Sequence, residues 1–337
     1  MKRALMLGVV ALMSATVLFA GGRQEAGQRI TAYTTLDEEL ARNVFAAFTQ
    51  ETGIQVDWVR LSTGEAVARI EAERANPQAS IWYGGVGLGH IEAKNKGLTT
   101  PYNSPAATMP DQFRDADGYW SGIYAGPLAF ASNNNVMARL GIDPPDSWEA
   151  LLNPKLRNQV QMANPGSSGT SYNVLATMVQ VHGEEGGFEY MDRLDRNITQ
   201  YTRSGSAPGR NVAIGEVGVA IGYAHDIVRL IAEGYPMTMT VPDGTGFEVA
   251  AVSLIANGPE DQQEAARKLF DWALGETAAK LYAEQFVVPF VDVPLAPGAV
   301  PIREVNVIDQ DDEWAAQERA RLVDKWNDTI GASSRTE

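Results

Sequence analysis

Apolar and polar positions in the first part of the chain predict strands and helices in turn. Leu36, Leu40 and Val44 recur at the spacing of a helix, whereas residues 55–60 alternate as a strand does. In order, the pattern predicts a strand at Ile30–Tyr33, a helix at Leu36–Glu51, a strand at Gln55–Arg60, a helix at Glu65–Arg74, a strand at Ser80–Tyr83 and a glycine loop at Gly84–Gly87. This βαβα order predicts a mostly parallel sheet with helices on both faces.

A second set of elements lies between two long apolar segments, Gly122–Ser132 and Phe247–Ala256, which we interpret as strands that cross between two lobes. The strands of this set are predicted at Val160–Ala163, Thr199–Thr202 and Val217–Tyr223. Its helices are predicted at Trp148–Leu152, at Ser171–Val181, in a segment that ends near Ile214, and at Ile227–Glu233. The last helices of the chain are predicted at Gln262–Ala273, Glu276–Phe286 and Glu313–Thr329. Two crossover strands form a hinge. The predicted fold class is therefore α/β, with lobe 1 at residues 28–126 plus 250–300 and lobe 2 at residues 127–249 plus 301–337.

The N-terminus has the pattern of an export signal. Lys2 and Arg3 place positive charge before the apolar segment Ala4–Ala20, which is at the short end for a membrane-spanning helix and is followed by small residues. We therefore predict a signal peptide at residues 1–20 and a periplasmic location. The chain has 0 cysteines, which argues against a disulfide framework and a lipid-modified cysteine anchor. No later segment predicts stable membrane insertion.

The formal net charge of −15 at pH 7 narrows the choice of partner. Such an acidic surface argues against binding to nucleic acid or to an anionic membrane. It is compatible with a small anionic solute, because helix N-termini and backbone N–H groups bind phosphate without net positive charge.

Four predicted turns share one design, in which a strand ends, a cluster of Ser, Thr or Gly follows, and a helix begins. In open α/β sheets the ligand lies beyond the carboxyl ends of the strands, where these turns are expected. Their hydroxyls and N–H groups predict an oxyanion-binding site, with Thr34, Thr35, Ser62, Thr63, Ser168, Gly169, Thr170, Ser204 and Ser206 as the candidate ligands. The alternative for each turn is that Ser and Thr cap a helix.

A second group of candidates has side chains suited to sugar hydroxyls, an ammonium group or a metal. His225 and Asp226 follow a predicted apolar strand, and Glu248 opens the second crossover. Tyr83 ends the third predicted strand, where an aromatic ring could stack on a ligand. The alternatives are a helix N-cap for Asp226 and core packing for Tyr83. His90 and His182 are predicted to lie on the surface.

Motifs of catalysis are missing from the sequence. It has no Gly-x-Ser-x-Gly elbow, no His-Glu-x-x-His pair, no cysteine nucleophile and no Walker loop. The acidic cluster 309–313 is interpreted as the solvated N-terminus of a helix rather than a metal loop. We therefore expect a binding protein without a cofactor and not an enzyme.

Several short segments resemble the ferric-iron-type family of solute-binding proteins of ABC importers. They are Asn76–Ala79, Gly118–Trp120, Asn153–Lys155, 162–165, 168–172 and Ala250–Ile255. The resemblance covers nearly all of the chain after the signal peptide. It implies the type II periplasmic-binding fold, a monomer, and delivery of the solute to an ABC permease driven by a cytoplasmic ATPase.

The resemblance also bears on the ligand. Family members that bind ferric ion carry an adjacent pair of tyrosines, whereas this chain has Tyr223 alone in the segment Gly222–Asp226. A subgroup that binds hexose phosphates has a His-Asp pair and a later Glu, which His225, Asp226 and Glu248 match in order. The resemblance therefore implies a phosphorylated monosaccharide as ligand. The alternatives are ferric ion held by Tyr223, His225 and Asp226, 2-aminoethylphosphonate or another organophosphorus compound, and, less expected, a periplasmic enzyme acting on phosphoesters.

Overall fold

A computed structural model of the chain describes residues 28–331, so the predicted signal peptide at residues 1–20 lies outside the described residues. The strands are β1 (Arg29–Thr34), β2 (Gln55–Arg60), β3 (Ile81–Val86), β4 (Thr99–Thr100), β5 (Ser121–Asn133), β6 (Val160–Ala163), β7 (Ile198–Thr202), β8 (Val219–Tyr223), β9 (Met237–Thr240), β10 (Phe247–Ile255) and β11 (Val288–Pro289). The helices are α1 (Glu38–Thr52), α2 (Thr63–Ala72), α3 (Gly87–Asn95), α4 (Asn134–Leu140), α5 (Gly169–Asp195, kinked at Gly183), α6 (Ala207–Ala213), α7 (Ala224–Ala232), α8 (Gln263–Ala273), α9 (Glu276–Glu284) and α10 (Asp312–Thr329).

The strands run in the order β2-β1-β3-β10-β5-β8-β6-β7, with β4, β9 and β11 beside this path. Strand β1 is parallel to β2 and β3, and β6 is parallel to β7 and β8, so each lobe contains a parallel set. Strands β5 and β10 are antiparallel to each other and join the sets. Strand β5 pairs with β10 as far as Pro127 and with β8 from Leu128 onward. The predicted α/β fold with two crossover strands is confirmed.

The crossover strands are apolar because they are covered on both faces. All residues of β5 are buried, and in β10 only Phe247 is partly exposed. A continuous apolar run is typical of such strands. Burying one large apolar side chain contributes roughly 1.5–3 kcal/mol, so these strands hold the centre of the molecule firmly.

Each lobe has a hydrophobic core of its own. The first core packs Phe45, Phe48 and Tyr83 against helices α8 and α9. The second core packs Phe130 and Met162 against α5 and α10. None of the helices between residues 28 and 331 is long and apolar enough to cross a membrane.

The two lobes touch across a cleft. The Gly64 N–H donates a hydrogen bond of 3.1 Å to the Ser167 carbonyl oxygen in the opposite lobe. Arg319 of α10 bridges the lobes as well, with one nitrogen 3.2 Å from Glu92 Oε2 and another 2.9 Å from the Gly166 carbonyl oxygen. The structure is therefore a closed arrangement of the lobes.

The glycine segment was predicted to be a loop, and this is wrong. Gly84 and Gly85 lie within β3 with φ of 77° and 94°, and Gly87 begins α3. The pairing of β3 with β10 shifts register beside them and then continues at Val86. Both residues of this bulge have positive φ, which glycine adopts without a steric cost, so here glycine bends a strand instead of ending it.

The prediction of a surface position for His90 is also wrong. Its side chain is 0% exposed and stacks on Trp82 with ring centroids 3.8 Å apart. His90 Nε2 lies 3.0 Å from the Gly84 carbonyl oxygen, which can only accept, so Nδ1 accepts from the Ser253 hydroxyl at 2.6 Å. The bulge in β3 turns the Gly84 carbonyl toward the ring. His182 is exposed, as predicted.

Two smaller predictions need correction. The segment predicted as a helix at 148–152 is a single 3-10 turn at Glu149–Leu152. Helix α7 begins at Ala224 rather than at Ile227, with Tyr223 in the N-cap position. Asp226 is therefore inside the first turn of α7 and is not its N-cap.

Candidate functional site

Most of the predicted site residues line one pocket between the lobes. The serine, threonine and glycine turns of both lobes contribute Thr35, Ser62, Thr63, Ser168, Gly169, Thr170 and Ser206 to its wall. Tyr223, His225, Asp226 and Glu248 line the same pocket. The pocket thus combines the two groups of candidates that the sequence suggested separately.

The turns approach one another closely, across the cleft at Gly169 and within single lobes at Gly205 and Gly85. A Cβ atom placed on Gly169 at the start of α5 would lie 2.6 Å from Thr63 Oγ1 at the start of α2. A Cβ atom on Gly205 would collide with Thr170, and one on Gly85 would lie 2.9 Å from Thr35 Oγ1. Glycine at these positions lets the turns meet around a small volume.

Helix capping and pocket lining coincide in these turns. The Ser168 hydroxyl caps α5 by accepting from the Ser171 N–H at 3.4 Å, and the Ser62 N–H donates to Glu65 Oε2 at 2.9 Å. Both residues nevertheless line the pocket. The helix N-termini they cap add positive potential to the same space.

The second group lies in the first turn of α7 and at the start of β10. His225 Nε2 is 3.5 Å from Glu248 Oε1, and the two side chains are 13% and 5% exposed. The imidazole stacks on Tyr223 with ring centroids 5.8 Å apart and meets Tyr124 edge-on at the same distance. His225 Nδ1 has no hydrogen-bond partner among residues 28–331. This nitrogen is buried against β5, 2.9 Å from where a Cβ atom of Gly126 would lie, so Nε2 is the ring nitrogen on the Glu248 side.

Burial controls the charge of these groups. It raises the pKa of the Glu248 carboxyl well above its usual range, and the negative charge of Asp226 adds to this shift. It lowers the pKa of His225, although Asp226 partly offsets the effect. The imidazole is therefore neutral at pH 7 and offers one donor and one acceptor.

Three predicted residues lie outside the pocket lining. Thr34 is 0% exposed and donates to the Tyr83 carbonyl oxygen at 3.0 Å. Tyr83 is also 0% exposed and packs in the first core, edge-on to Phe45 and hydrogen-bonded to Tyr282. Ser204 lies just behind the wall, 3.2 Å from the Ser206 hydroxyl. The prediction that Tyr83 stacks on the ligand is therefore wrong, because its strand directs the ring into the core.

The structure adds residues that the sequence reasoning missed. Asp37, Arg60, Tyr124 and Arg229 line the pocket with Gln285. Arg60 ends β2 next to a predicted turn, and Arg229 lies one helical turn after Asp226, so both positions could have been found from spacing. Tyr124 comes from the middle of β5, and no local pattern marks it.

No group of three or more His, Cys, Asp or Glu side chains is placed to hold a metal ion among the described residues. Tyr223 accepts a hydrogen bond of 3.1 Å from the Asn173 amide. Burial raises the pKa of Tyr223 well above its usual value, and the nearby Glu248 charge adds to this shift. A neutral phenol is a poor ligand for ferric ion, which prefers anionic oxygen.

Residues 90–313 match the family of bacterial extracellular solute-binding proteins. This chain belongs to that family. A Haemophilus influenzae protein described as uncharacterized is 34% identical to this solute-binding protein over 334 residues, which cover 95% of this chain and 96% of the relative.

Two further relatives carry descriptions of a ligand. The periplasmic binding protein AfuA from Actinobacillus pleuropneumoniae, whose structure is described with exogenous fructose-6-phosphate bound, is 33% identical with a TM-score of 0.87 and covers 91% of this chain and 99% of its own. A putative 2-aminoethylphosphonate-binding periplasmic protein of Salmonella typhimurium is 30% identical over 247 residues, 71% of this chain and 70% of that protein. The likeness to AfuA confirms the predicted type II periplasmic-binding fold.

The family membership settles the general role. This protein is the periplasmic solute-binding component of an ABC importer, and its relatives are transport components rather than enzymes. Proteins of this kind work with a membrane permease and a cytoplasmic ATPase. The resemblance to the ferric-iron-type group, with its hexose-phosphate subgroup, is confirmed by the family match and by AfuA.

Proposed function

We propose that this solute-binding protein binds a phosphorylated monosaccharide between its lobes and delivers it to its permease. The observation that carries the proposal is that two kinds of polar group line one pocket. Hydroxyls and helix N-termini of both lobes are the first kind, and the side chains of His225, Asp226 and Glu248 are the second. A phosphate group matches the first kind and sugar hydroxyls match the second.

In this proposal the phosphate is held by Thr35, Ser62, Thr63, Ser168, Gly169, Thr170 and Ser206. The sugar hydroxyls donate to Asp226 and Glu248 and exchange hydrogen bonds with the neutral His225. Because the ligand touches both lobes, it favours the closed arrangement. Closure excludes water and strengthens each charge-assisted hydrogen bond.

The relatives support the same ligand class. The structure of AfuA is described with fructose-6-phosphate, and the Salmonella relative is described as a putative binder of a phosphonate. Both ligands contain a tetrahedral oxyanion, which the hydroxyl turns would bind. We also propose that residues 1–20 direct export, that the lobes divide near residues 126 and 249, and that the protein acts as a monomer.

Thermal unfolding of ligand-free protein tests the ligand. The panel is fructose 6-phosphate, glucose 6-phosphate, 2-aminoethylphosphonate, inorganic phosphate and ferric citrate. A tight ligand raises the unfolding midpoint by mass action, so we expect the largest rise with a sugar phosphate. His225→Ala and Glu248→Ala should remove that rise, whereas His182→Ala at an exposed position should keep it.

Other results of the unfolding panel, or turnover of a phosphoester, would indicate a different ligand or function. A rise with 2-aminoethylphosphonate alone would assign a phosphonate, and a rise with ferric citrate alone would make the protein an iron carrier. Turnover of a phosphoester that disappears in His225→Ala would support an enzyme instead. Each of these results would overturn the proposal of a sugar phosphate.

A further inference from the structure

Arg60 contributes a guanidinium group to the pocket from the end of β2. Its Nε donates to the Leu36 carbonyl oxygen at 3.4 Å, and its Nη2 donates to the Ser204 hydroxyl at 3.3 Å. Among residues 28–331, no carboxylate oxygen forms an ion pair with it. Its partners are thus neutral, and its positive charge is not compensated by the protein.

Arg229, the other cation of the pocket lining, is paired with carboxylates. Arg229 Nη2 lies 3.5 Å from Asp37 and 3.8 Å from Asp226, and its Nη1 lies 3.2 Å from Glu233. Three carboxylates therefore share the charge of Arg229. They leave little of it for an anionic ligand.

The position of Arg60 links it to the hydroxyl turns. Ser204, which receives its hydrogen bond, lies 3.2 Å from the Ser206 hydroxyl in the pocket wall. Arg60 belongs to the first lobe and Ser204 to the second. An anion held here would contact a fixed charge from one lobe and hydroxyls from the other.

We propose that Arg60 binds the phosphate group and makes the pocket prefer a phosphate dianion over an uncharged monosaccharide. This inference rests on the proposed function and adds a residue that determines its specificity. A guanidinium offers several donors in a fixed plane to phosphate oxygens, which neutral hydroxyls cannot replace. The side chains of Asp226 and Glu248 then receive the hydroxyl groups of the ligand.

The test compares Arg60→Gln with Arg203→Gln by calorimetric titration with fructose 6-phosphate and fructose at pH 7.5 and pH 5.5. Arg203 is the matched control, because it lies at the cleft rim, forms an ion pair with Glu65 in the other lobe and does not line the pocket. Both variants remove one positive charge near the cleft.

We expect Arg60→Gln to weaken fructose 6-phosphate binding about 30-fold, the size of a hydrogen bond between charged groups, and to leave fructose binding nearly unchanged. A phosphate ester loses its second charge below a pKa of about 6, so wild-type affinity should fall between pH 7.5 and pH 5.5. In Arg60→Gln the affinity should change little between the two pH values. Arg60→Lys should retain most of the wild-type pH dependence, and Arg203→Gln should retain all of it.

Unchanged affinity and pH dependence in Arg60→Gln would overturn the assignment of Arg60 and leave the proposed function standing. Equal losses in Arg60→Gln and Arg203→Gln would also overturn it, because the effect would then come from net charge or closure. If Arg60→Gln does not fold, Arg60→Lys is the test. Loss of the wild-type pH dependence of affinity in Arg60→Lys would contradict the assignment. Wild-type protein that binds no sugar phosphate would instead overturn the proposed function itself.

Discussion

Glu248 is a buried carboxyl group at the point where the pocket meets the hinge. Its side chain is 5% exposed, and the basic side chain beside it is His225, whose pKa burial lowers so that the imidazole is neutral. Among residues 28–331, no cation forms an ion pair with the ionised Glu248 carboxylate. Burial therefore raises the pKa of Glu248, because ionising the carboxyl at this position costs free energy.

The substitution Glu248→Gln should change how stability depends on pH. The folded-state pKa of Glu248 lies above its unfolded value, so the folded protein keeps a proton that the unfolded chain releases. Its contribution to stability is present at low pH and is lost as pH rises from about 4.5 through the folded pKa. We expect ligand-free Glu248→Gln to exceed the wild type by about 1–3 kcal/mol at pH 8 and to match it at pH 4, measured by urea unfolding. Parallel stability curves would contradict this.

His90 gives a pH dependence of the opposite sign. Burial lowers the pKa of His90 to about 3, whereas the unfolded histidine takes up a proton near 6.5. Its contribution is present above pH 6.5 and is lost as pH falls towards 3. His90→Gln should therefore be less stable than the wild type at pH 7 by about 1–3 kcal/mol. When the pH is lowered, its stability should fall by less than that of the wild type. His182→Gln, at an exposed site, should follow the wild type, and a steep acid loss that persists in His90→Gln would exclude His90 as its source.

At the scale of elements, the site depends on how closely two helix N-termini approach. Helix α2 starts at Thr63 in the first lobe and α5 starts at Gly169 in the second. The absence of a side chain at Gly169 lets these starts pack directly against each other. Closure therefore relies on a small residue at one place in the turn.

Gly169→Ala should hinder closure with little effect on folding. The added Cβ would lie 2.6 Å from Thr63 Oγ1 and 2.9 Å from Val86 Cγ2, both in the other lobe. We expect ligand affinity to fall about 10-fold or more, because such contacts destabilise the closed state relative to the open state by about 1.4 kcal/mol or more. The unfolding midpoint of ligand-free protein should stay close to the wild type, since open lobes avoid the clash. The control is Gly209→Ala, where the Cβ would lie 3.4 Å from Leu230 Cδ1. Ligand affinity should be unchanged there, and the unfolding midpoint should stay the same or rise, because alanine is favoured over glycine within a helix.

For the whole molecule, ion pairs across the cleft favour closure. Arg203 pairs with Glu65, and Arg210 pairs with Asp37, each joining the second lobe to the first. The arginines are 77% and 52% exposed, so each pair contributes about 0–1 kcal/mol and is screened by salt. Small terms of this size can still shift an equilibrium between open and closed lobes.

Small-angle scattering of ligand-free protein can detect that shift. We expect the radius of gyration to increase when salt is raised, because screening weakens the pairs and the open arrangement gains population. The double variant Arg203→Gln/Arg210→Gln should have the larger radius already at low salt. Arg193→Gln breaks a pair with Glu149 within the second lobe and should respond to salt as the wild type does. A double variant with the wild-type salt response would show that these pairs do not govern closure.

Much of the fold could be predicted from sequence, because the order of strands and helices follows from local periodicity. The strand at 55–60 and the turns at Ser62 and Ser168 were recovered in this way, and chain order in a parallel sheet brings such turns to one edge. The placement of His225, Asp226 and Glu248 in the pocket lining could be predicted for the same reason, since each lies at the end or start of a predicted strand.

The remaining features depend on contacts between residues far apart in the chain. Tyr83 and Tyr124 are both strand tyrosines, yet the first packs in the core and the second faces the pocket, because pairing across the sheet sets which way each side chain points. His90 is buried because a bulge in β3 presents the Gly84 carbonyl to it. Arg60 has no ion-pair partner among residues 28–331, whereas Arg229 gains Asp37 of the other lobe in addition to Asp226 and Glu233 of its own helix. Local pattern determines elements and turns, whereas side-chain direction, burial and charge pairing arise when distant segments pack together.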